Sequence, residues 1–442
     1  SRVRFDIVTP MDRRNFLAVS AASAAAVYGA NERVRVGLIG CGGRGQYVGN
    51  FMRQAPNTDF VAFCDVYKTN AEKARASMSP SGSPSGLVYT DFRKLLENKD
   101  IDAVLIGTPD HWHAITSIEA LRAGKHVYCE KPLGHNIREQ QAMVKAVSTA
   151  KTLFLTGTQQ RSATHYQEVQ KMVGEGLIGD VRYVKIWNAV NSRLRPIIPR
   201  GLDNQTKPDD LDWDFYCGPA PLVPYDRARF LGTYRWFFDY SGGFITDYGT
   251  HRFDTVHQIM GADIPKTVSA VSNRYGLQGV GEIPDVLQVT YEYPGFVLNY
   301  EAIMMNGQGA PGRSPGQRYY NMNGETNRPH GEAYYGNKGT IFCDRIGYEV
   351  YFESGKEPPV RKNTTDATSV HAQHFVGCIR GVEKQRSTVL TGHRATIVSH
   401  LGNLAVKLGK KVHWDGVTET ITGESAKILG RDWRAPWGKW FV

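Results

Sequence analysis

A glycine-rich loop at the end of an apolar run constrains the fold of this 442-residue chain more than any other segment. Apolar side chains alternate over residues 34–39 and are followed at once by Gly40-Cys41-Gly42-Gly43-Arg44-Gly45. In a strand–turn–helix unit of this kind, Gly40 permits the turn, Gly42 admits a phosphate and Gly45 lets helix and strand pack closely. Because a helix N-terminus also offers free N–H groups to an anion, the segment predicts a cradle for a dinucleotide pyrophosphate.

The apolar runs that follow supply the context that such a loop requires. Residues 60–64 end in Asp65, twenty residues after Gly45, where a carboxylate would accept hydrogen bonds from the adenosine ribose hydroxyls. Two further runs end in Gly107-Thr108-Pro109 and in Glu130-Lys131-Pro132. Since helix-like segments separate these strands, residues 31–155 are predicted to form a Rossmann domain, an α/β fold with a doubly wound parallel sheet.

The remainder of the chain, residues 156–442, shows a different pattern. Several strand-like segments follow one another without helices between them, which predicts an α+β domain with a large open, mostly antiparallel sheet. We expect its closing helices to be able to pack back on the Rossmann domain. Residues 306–337, rich in Gly, Asn, Pro and Tyr, are predicted to form a long loop. The uncovered face of such a sheet favours a homodimer or a homotetramer.

Residues 1–30 have the pattern of an export leader. Arg13-Arg14-Asn15-Phe16-Leu17 precedes an alanine-rich apolar run that reaches Val27. This pattern resembles a twin-arginine signal, and it predicts export of the folded protein to the periplasm or another compartment outside the cytoplasm. An ordered N-terminal arm is the alternative. The run is too short and too rich in alanine to indicate a membrane span, so no stable membrane insertion is expected.

Composition and spacing argue against several other classes of function. The formal net charge is +10, yet the basic residues are spread along the chain and form no nucleic-acid-binding module. The six cysteines include no C-x-x-C pair. His111 and His113 have the spacing of two metal ligands, but no third ligand lies near them in sequence. We therefore predict no metal and assign both histidines to a nicotinamide pocket.

Two segments outside the glycine loop carry side chains suited to acid–base chemistry. Lys131 follows a predicted strand, from which its ammonium group would reach the ligand crevice and polarise a substrate hydroxyl. On sequence alone it is equally consistent with a solvated lysine. Asp247 and His251 lie four residues apart on a predicted helix, where a carboxylate can orient an imidazole that acts as a general base. A helix cap and a surface histidine would show the same pattern.

Taken in order, these segments resemble the Gfo/Idh/MocA oxidoreductases, the family of glucose–fructose oxidoreductase and inositol dehydrogenase. The resemblance runs from about residue 33 to beyond residue 400, and it rests on the glycine loop, Asp65, Thr108-Pro109, Glu130-Lys131-Pro132, and Gly242-Gly243 with Asp247 and His251. It implies that Lys131 orients a sugar or polyol hydroxyl, that His251 removes its proton, and that Asp247 positions the imidazole and the substrate.

The loop chemistry and the resemblance together give the predicted site residues. The catalytic residues are Lys131, Asp247 and His251, and the substrate is predicted to contact these three with Arg161 and Trp236. The ring of Trp236 is equally suited to the core. The cofactor is predicted to contact Gly40, Cys41, Gly42, Gly43, Arg44, Gly45, Asp65, Thr108, Pro109, His111, His113, Glu130, Lys131 and Gln159.

The predicted cofactor is NAD, because the charge of Asp65 would repel the 2′-phosphate of NADP. Arg44 and Lys68 lie near enough in sequence to leave NADP open. An exported enzyme meets little free cofactor, so we expect tight binding before export and recycling in place. The resemblance favours a sugar or polyol oxidoreductase. The alternatives are an NAD-dependent glycoside hydrolase that works by oxidation, elimination, hydration and reduction, and a non-catalytic cofactor-bound protein.

Overall fold

The computed structural model describes residues 33–79, 85–190, 206–276, 279, 281–305 and 330–441. The predicted leader over residues 1–30 lies outside the described residues, and so does most of the segment predicted as a loop over 306–337. Within the described ranges, the search for a helix long and apolar enough to cross a membrane finds none.

The first part of the described chain alternates strands and helices. Its elements are β1 (Val34–Ile39), α1 (Gly43–Met52), β2 (Thr58–Cys64), α2 (Lys68–Met78), β3 (Leu87–Tyr89), α3 (Phe92–Glu97), β4 (Ala103–Ile106), α4 (Asp110–Arg122), β5 (His126–Cys129), α5 (Ile137–Thr149) and β6 (Phe154–Thr156). The six strands form a parallel sheet in the order β3-β2-β1-β4-β5-β6, which confirms the doubly wound prediction. The strand order reverses between β1 and β4, and a ligand crevice opens outside the carboxyl ends of the strands at such a point.

The second part is built around a ten-stranded sheet. Its elements are α6 (Thr164–Gly174), β7 (Val181–Ala189), α7 (Trp213–Cys217), α8 (Thr250–Met260), β8 (Thr267–Asn273), β9 (Val286–Tyr293), β10 (Phe296–Ile303), β11 (His330–Gly336), β12 (Gly339–Asp344), β13 (Gly347–Phe352), β14 (Val360–Asn363), α9 (Thr368–Ile379), α10 (Val389–Leu408), β15 (Val412–Asp415) and β16 (Thr420–Ile421). The strand order is β14-β13-β12-β11-β7-β10-β9-β8-β15-β16. Strands β7 and β10 pair in parallel and the other described pairs are antiparallel, which confirms the predicted mostly antiparallel sheet.

Strand β11 corrects one prediction, because it occupies the last residues of the segment predicted to be a loop. The polar residues His330 and Glu332 are untypical of a buried strand, which is why the pattern was not strand-like. Glu332 is nevertheless fully buried, and its carboxylate accepts hydrogen bonds from Arg252 and Thr255 of α8. A buried charge is tolerated when a partner satisfies it, and here the partner comes from a distant element.

The C-terminal segments pack on both faces of the parallel sheet. Phe375 and Val376 of α9 share an apolar core with Leu38 of β1 and Val48 of α1. On the opposite face, Trp437 joins the core around Trp112 of α4. This packing holds the crevice of the parallel sheet against α8 and the large sheet. The boundary at residue 155 remains a prediction, and β6 ends beside it at Thr156.

Candidate active site

A cavity of about 940 Å³ lies between the carboxyl ends of the parallel strands and the start of α8. A volume of this size is typical of a cofactor or ligand site. The cavity brings together most of the predicted site residues. Those that line it are Gly40, Gly42, Gly43, Arg44, Asp65, Thr108, Pro109, His113, Glu130, Lys131, Gln159, Trp236, Asp247 and His251.

The glycine loop is tightly packed behind and open in front. Gly40 has a φ of +86°, and a Cβ on it would lie 2.4 Å from the backbone nitrogen of Thr108. A Cβ on Gly45 would lie 2.2 Å from the carbonyl oxygen of Gly40, so helix α1 can approach β1 this closely only with glycine there. A Cβ on Gly42 or Gly43 would have no neighbouring atom within 4 Å, so the front of the loop is open. The loop therefore has the shape that a pyrophosphate requires, with free N–H groups where α1 begins.

Asp65 holds the glycine loop in place as well as facing the cavity. Its carboxylate accepts hydrogen bonds from the backbone N–H groups of Cys41, at 2.8 Å, and Tyr67, at 2.9 Å. Burial raises the pKa of Asp65 to about 6, against the opposing effect of these N–H donors. Cys41 itself does not line the cavity: its thiol is buried and only its backbone serves the site.

Arg44 is paired with the end of β5. Its guanidinium lies 2.9 Å from Oε1 of Glu130, whose side chain is almost fully buried. Arg44, one of the two cations that left NADP open as a cofactor, is therefore paired with a carboxylate; the other, Lys68, does not line the cavity. Among the described residues, Asp65 is therefore the charged side chain that binds the glycine loop. Its carboxylate can accept hydrogen bonds from the ribose hydroxyls of NAD, which favours NAD over NADP.

Lys131 and Asp247 are in direct contact at the end of the cavity next to α8. The ammonium group of Lys131 donates to the backbone carbonyl of Asp247 at 2.6 Å and to its Oδ1 at 2.7 Å. Nε of Arg235 lies 3.1 Å from the other carboxylate oxygen. Burial alone would raise the pKa of Asp247, but the charges of Arg235 and Lys131 hold it well below its usual range. Asp247 is thus a permanent anion between two cations.

His251 lies on α8 beside this group and is only 4% exposed. Its Nδ1 is buried without a hydrogen-bond partner among the described residues. Burial, followed by the charges of Lys131 and Arg345, lowers the pKa of His251 well below its usual range. The imidazole is therefore neutral and able to accept a proton.

The contacts of Asp247 differ from the predicted ones. Both of its carboxylate oxygens are bound by Lys131 and Arg235, and within the described chain none of its hydrogen bonds reaches His251. The residues from Ile245 to Gly249 form a π-helical turn before α8, so the four-residue spacing does not have ordinary α-helical geometry. Asp247 is consequently in contact with Lys131 and Arg235, whereas the prediction placed it against the imidazole.

His111 and His113 of α4 lie in different surroundings. His113 joins the strand ends, because its Nδ1 lies 2.7 Å from the carbonyl of Pro132 and its Nε2 lies 3.0 Å from that of Thr108. His111 points away from the cavity and its Nε2 lies 2.9 Å from the carbonyl of Tyr216. Burial lowers the pKa of His111 to about 3. Residues two apart on a helix point in nearly opposite directions, which explains why only His113 reaches the site.

Arg161 also lies outside the cavity. Its Nε donates to Oδ1 of the buried Asp254 at 2.8 Å, and the side chain faces a separate surface groove with His257. Gly45, likewise, acts through packing and does not line the cavity.

Trp236 belongs to an aromatic wall of the cavity. Its ring stacks on Phe244 with centroids 5.4 Å apart, and Phe244 stacks on Tyr248 at 5.0 Å. Trp236 is 3% exposed, so most of its surface packs against protein while an edge lines the cavity. Trp236 thus belongs both to the core and to the cavity wall, and its contact with a substrate stays a prediction.

The cavity residues that the sequence did not indicate include two arginines. Arg235, in the aromatic segment before α8, binds Asp247, and the signal for it was a lone cation among aromatic residues. Arg345 lines the cavity from the turn between β12 and β13, more than ninety residues beyond His251. No local motif surrounds Arg345, so its place depends on the order of the strands in the large sheet.

Comparison with known families matches two domain models to this chain. Residues 34–158 match the Gfo/Idh/MocA model described as oxidoreductase family, NAD-binding Rossmann fold. Residues 162–308 match the model described as oxidoreductase family, C-terminal alpha/beta domain, of the same family. Together the two ranges cover more than half of the chain.

Individual relatives match this chain at low identity and over part of their length. A glycosyl hydrolase family 109 protein of Saccharopolyspora erythraea is 30% identical over 158 residues, which are 35% of this chain and 34% of that protein. Myo-inositol 2-dehydrogenase of Thermotoga maritima is 25% identical over 231 residues, which are 52% of this chain and 56% of that protein. The chain thus matches about a third of the hydrolase relative and little more than half of the dehydrogenase.

A solved structure agrees over a longer range. Levoglucosan dehydrogenase in complex with NADH and levoglucosan superposes with a TM-score of 0.62 at 18% identity, covering 86% of this chain and 99% of that chain. At this identity the likeness shows the fold alone.

Proposed function

Because this chain belongs to the Gfo/Idh/MocA oxidoreductase family, we propose that it oxidises a hydroxyl group of a sugar, polyol or glycoside with a nicotinamide cofactor. The observation that carries the proposal is the placement of a cationic Lys131 and a neutral His251 in one cavity with the glycine loop. The inositol dehydrogenase and the levoglucosan dehydrogenase named above act on substrates of this class, and they support the choice of substrate.

The residues present fit a bound dinucleotide. Gly42 and Gly43 leave open space in front of the loop, and the Asp65 carboxylate stands beside it. When bound there, NAD would supply the hydride acceptor. Lys131 would donate a hydrogen bond to the substrate oxygen and stabilise the negative charge that develops on it. His251 would take the hydroxyl proton, because its lowered pKa leaves the imidazole unprotonated before the substrate binds.

Asp247 and Arg235 support this chemistry without removing the proton themselves. Asp247 has a strongly lowered pKa and is therefore a poor base, but it fixes the ammonium group of Lys131 through two contacts. Arg235 compensates the second carboxylate oxygen. The arrangement keeps the lysine pointed into the cavity before a substrate arrives, so little reorganisation is needed.

The proposed test uses the protein loaded with NAD and a panel of sugars, polyols and nitrophenyl glycosides. We expect the near-ultraviolet absorbance of reduced nicotinamide to appear with at least one sugar or polyol. Release of nitrophenol without net reduction would instead support the glycoside hydrolase, the second candidate favoured by the family 109 relative. That relative matches only over about a third of its length, so it is weak support for the hydrolase reaction. Absence of both signals would favour the non-catalytic protein.

Binding of NAD is expected to weaken as the pH falls through about 6. The raised pKa of Asp65 means that the empty site holds an ionised carboxylate above this pH and a protonated one below it. Only the ionised form accepts strong hydrogen bonds from both ribose hydroxyls, so affinity should fall about tenfold on the acidic side. Fluorescence titration of nucleotide-free protein with NADH measures the effect.

The matched variant for this prediction is Asp65→Asn. It should bind NADH weakly and with no pH step near 6, because no proton is exchanged at this position. Its preference for NADH over NADPH should also decrease, since the charge that repels a 2′-phosphate is gone. An unchanged pH step in the variant would show that another group titrates.

We extend the proposal to a tightly held cofactor and an exported protein. The twin-arginine pattern at Arg13-Arg14 supports export after folding, and an exported enzyme has to retain its cofactor. Denaturing the purified protein and weighing the released nucleotide tests retention, and an empty supernatant contradicts it. Changing both arginines to lysine should keep the protein in the cytoplasm of a host that exports the original.

The open face of the large sheet supports a homo-oligomer. Alternate residues of β9 are exposed, and Val271 of β8 and Val297 of β10 present apolar surface that is 72% and 38% exposed. A second copy of the chain would cover this face. Light scattering should give two or four times the mass of one chain, and the mass of a single chain would contradict the proposal.

A further inference from the structure

The end of the cavity that holds Lys131, Asp247 and His251 carries more positive than negative side chains. Lys131 and Arg235 share the single carboxylate of Asp247. A third cation, Arg345, lines the same cavity. Arg44, which also lines the cavity, is by contrast paired with Glu130. Three cations and one carboxylate therefore line this end of the cavity, where a substrate would lie; the buried Asp110, whose charge also acts on Arg235, does not line it.

Among the described residues, Arg345 has no counter-charge. It is half-buried in the turn between β12 and β13, and its Nε is buried with no hydrogen-bond partner in the described part of the chain. Across the described chain, Arg345 takes part in neither an ion pair nor a hydrogen bond. The contrast is Arg252, a buried neighbour whose guanidinium lies 3.0 Å from Glu332. A partly desolvated guanidinium without an acceptor is costly unless a ligand supplies the acceptor.

Arg345 lies close to the proposed reacting centre. After burial and Lys131, its charge is the next cause that lowers the pKa of His251, and it acts in the same direction on His330. Asn188, on β7, faces the same cavity and has a buried Oδ1 without a hydrogen-bond partner among the described residues. An acceptor for a sugar hydroxyl and a donor for an anion thus stand on one wall.

We propose that Arg345 binds an oxyanion of the substrate, so that the enzyme prefers acidic sugars, with a carboxylate or a phosphate group, over neutral ones. The planar guanidinium can donate two parallel hydrogen bonds to a carboxylate or a phosphate. The inference rests on the proposed function for the reaction itself, but the binding of an acidic sugar by Arg345 does not depend on turnover.

The test measures binding of sugars to the NAD-loaded protein by calorimetry. The probes are D-glucuronate, D-galacturonate and D-glucose 6-phosphate, each compared with neutral glucose or galactose. We expect at least one acidic sugar to bind about 10- to 100-fold more tightly than its neutral counterpart, and Arg345→Gln to remove this difference. The uronates and the phosphate sugar separate the two sources of the oxyanion.

Two controls accompany the variant. Arg182→Gln removes an exposed cation on β7 and should leave the preference unchanged. The affinity of Arg345→Gln for NADH should also be unchanged, because the proposal assigns Arg345 to the substrate. The proposal is overturned if acidic and neutral sugars bind alike, if no acidic probe binds, if Arg345→Gln keeps the preference, or if it loses NADH instead. Arg345-dependent binding without any cofactor reduction would leave this inference standing and defeat the proposed oxidation.

Discussion

Replacing Lys131 with methionine is expected to lower kcat by about 10³-fold while NAD still binds. Methionine matches the length of the lysine chain but cannot donate a hydrogen bond or stabilise a developing alkoxide. The fold should survive, because Arg235 continues to pair with Asp247 after the ammonium group is lost. Single-turnover reduction of the bound cofactor measures the rate, and the melting temperature checks the fold.

The Lys131→Met variant should also change the pH dependence of the activity, which is an independent test. The charge of Lys131 lowers the pKa of His251 in addition to burial, so its removal should raise that pKa. The imidazole then becomes protonated at a higher pH, and the residual single-turnover rate should fall on the acidic side, where the wild type shows no step caused by His251. A matched control is Lys171→Met, which removes an exposed lysine of α6. Full activity in Lys131→Met would remove the lysine from the mechanism.

Replacing His251 with asparagine is expected to lower kcat by about 10²- to 10⁴-fold, the usual contribution of a general base. The residual rate should rise with pH, because hydroxide then has to remove the proton that the imidazole accepts in the wild type. Wild-type activity should lack a step caused by His251 between about pH 5 and 8, since the lowered pKa keeps this imidazole neutral throughout that range.

Stability separates a catalytic His251 from a structural one. Its Nδ1 is buried without a described hydrogen-bond partner, which is unfavourable for folding, so asparagine should change the melting temperature by only a few degrees. His413→Asn, on the exposed side of β15, serves as the control for both activity and stability. If His251→Asn unfolds the protein or retains full activity, the assignment as a base fails.

The fold was largely predictable because its signals are local. The glycine loop, the acid after β2 and the residues that end β4 and β5 all follow directly from strand ends. In a parallel sheet these ends meet at one edge, so Asp65, Thr108 and Lys131 arrive in one cavity without any long-range information. His126–Cys129 and Val286–Tyr293 form strands with the predicted bounds because their apolar patterns are uninterrupted.

The site was less predictable where tertiary partners decide a side chain's role. Asp247 was expected to serve His251, its neighbour in sequence, but Lys131 and Arg235 bind both of its oxygens. Arg161 has the right place in sequence, yet the buried Asp254 draws it out of the cavity. The absence of His111 from the cavity lining could have been predicted. His111 and His113 are two residues apart on one helix, so their side chains point in nearly opposite directions and cannot both face one pocket.

Arg345 and β11 were missed for a related reason. Both belong to the large sheet, whose strand order places residues from the end of the chain beside β7 and α8. The burial of Glu332 depends on Arg252, and the exposure of Arg345 to the cavity depends on a turn with no motif of its own. Neither relation is visible until the strands are paired.

The most direct test of the account follows the hydrogen atom that oxidation removes from carbon. The NAD-loaded protein is mixed with the fully deuterated form of a sugar that reduces the cofactor, and the nucleotide is then released and weighed. The account predicts that the recovered cofactor carries one deuterium, and that Lys131→Met and His251→Asn suppress its appearance. Reduced cofactor without deuterium, or product formed while the cofactor takes up none, would contradict hydride transfer from a sugar bound at Lys131 and His251.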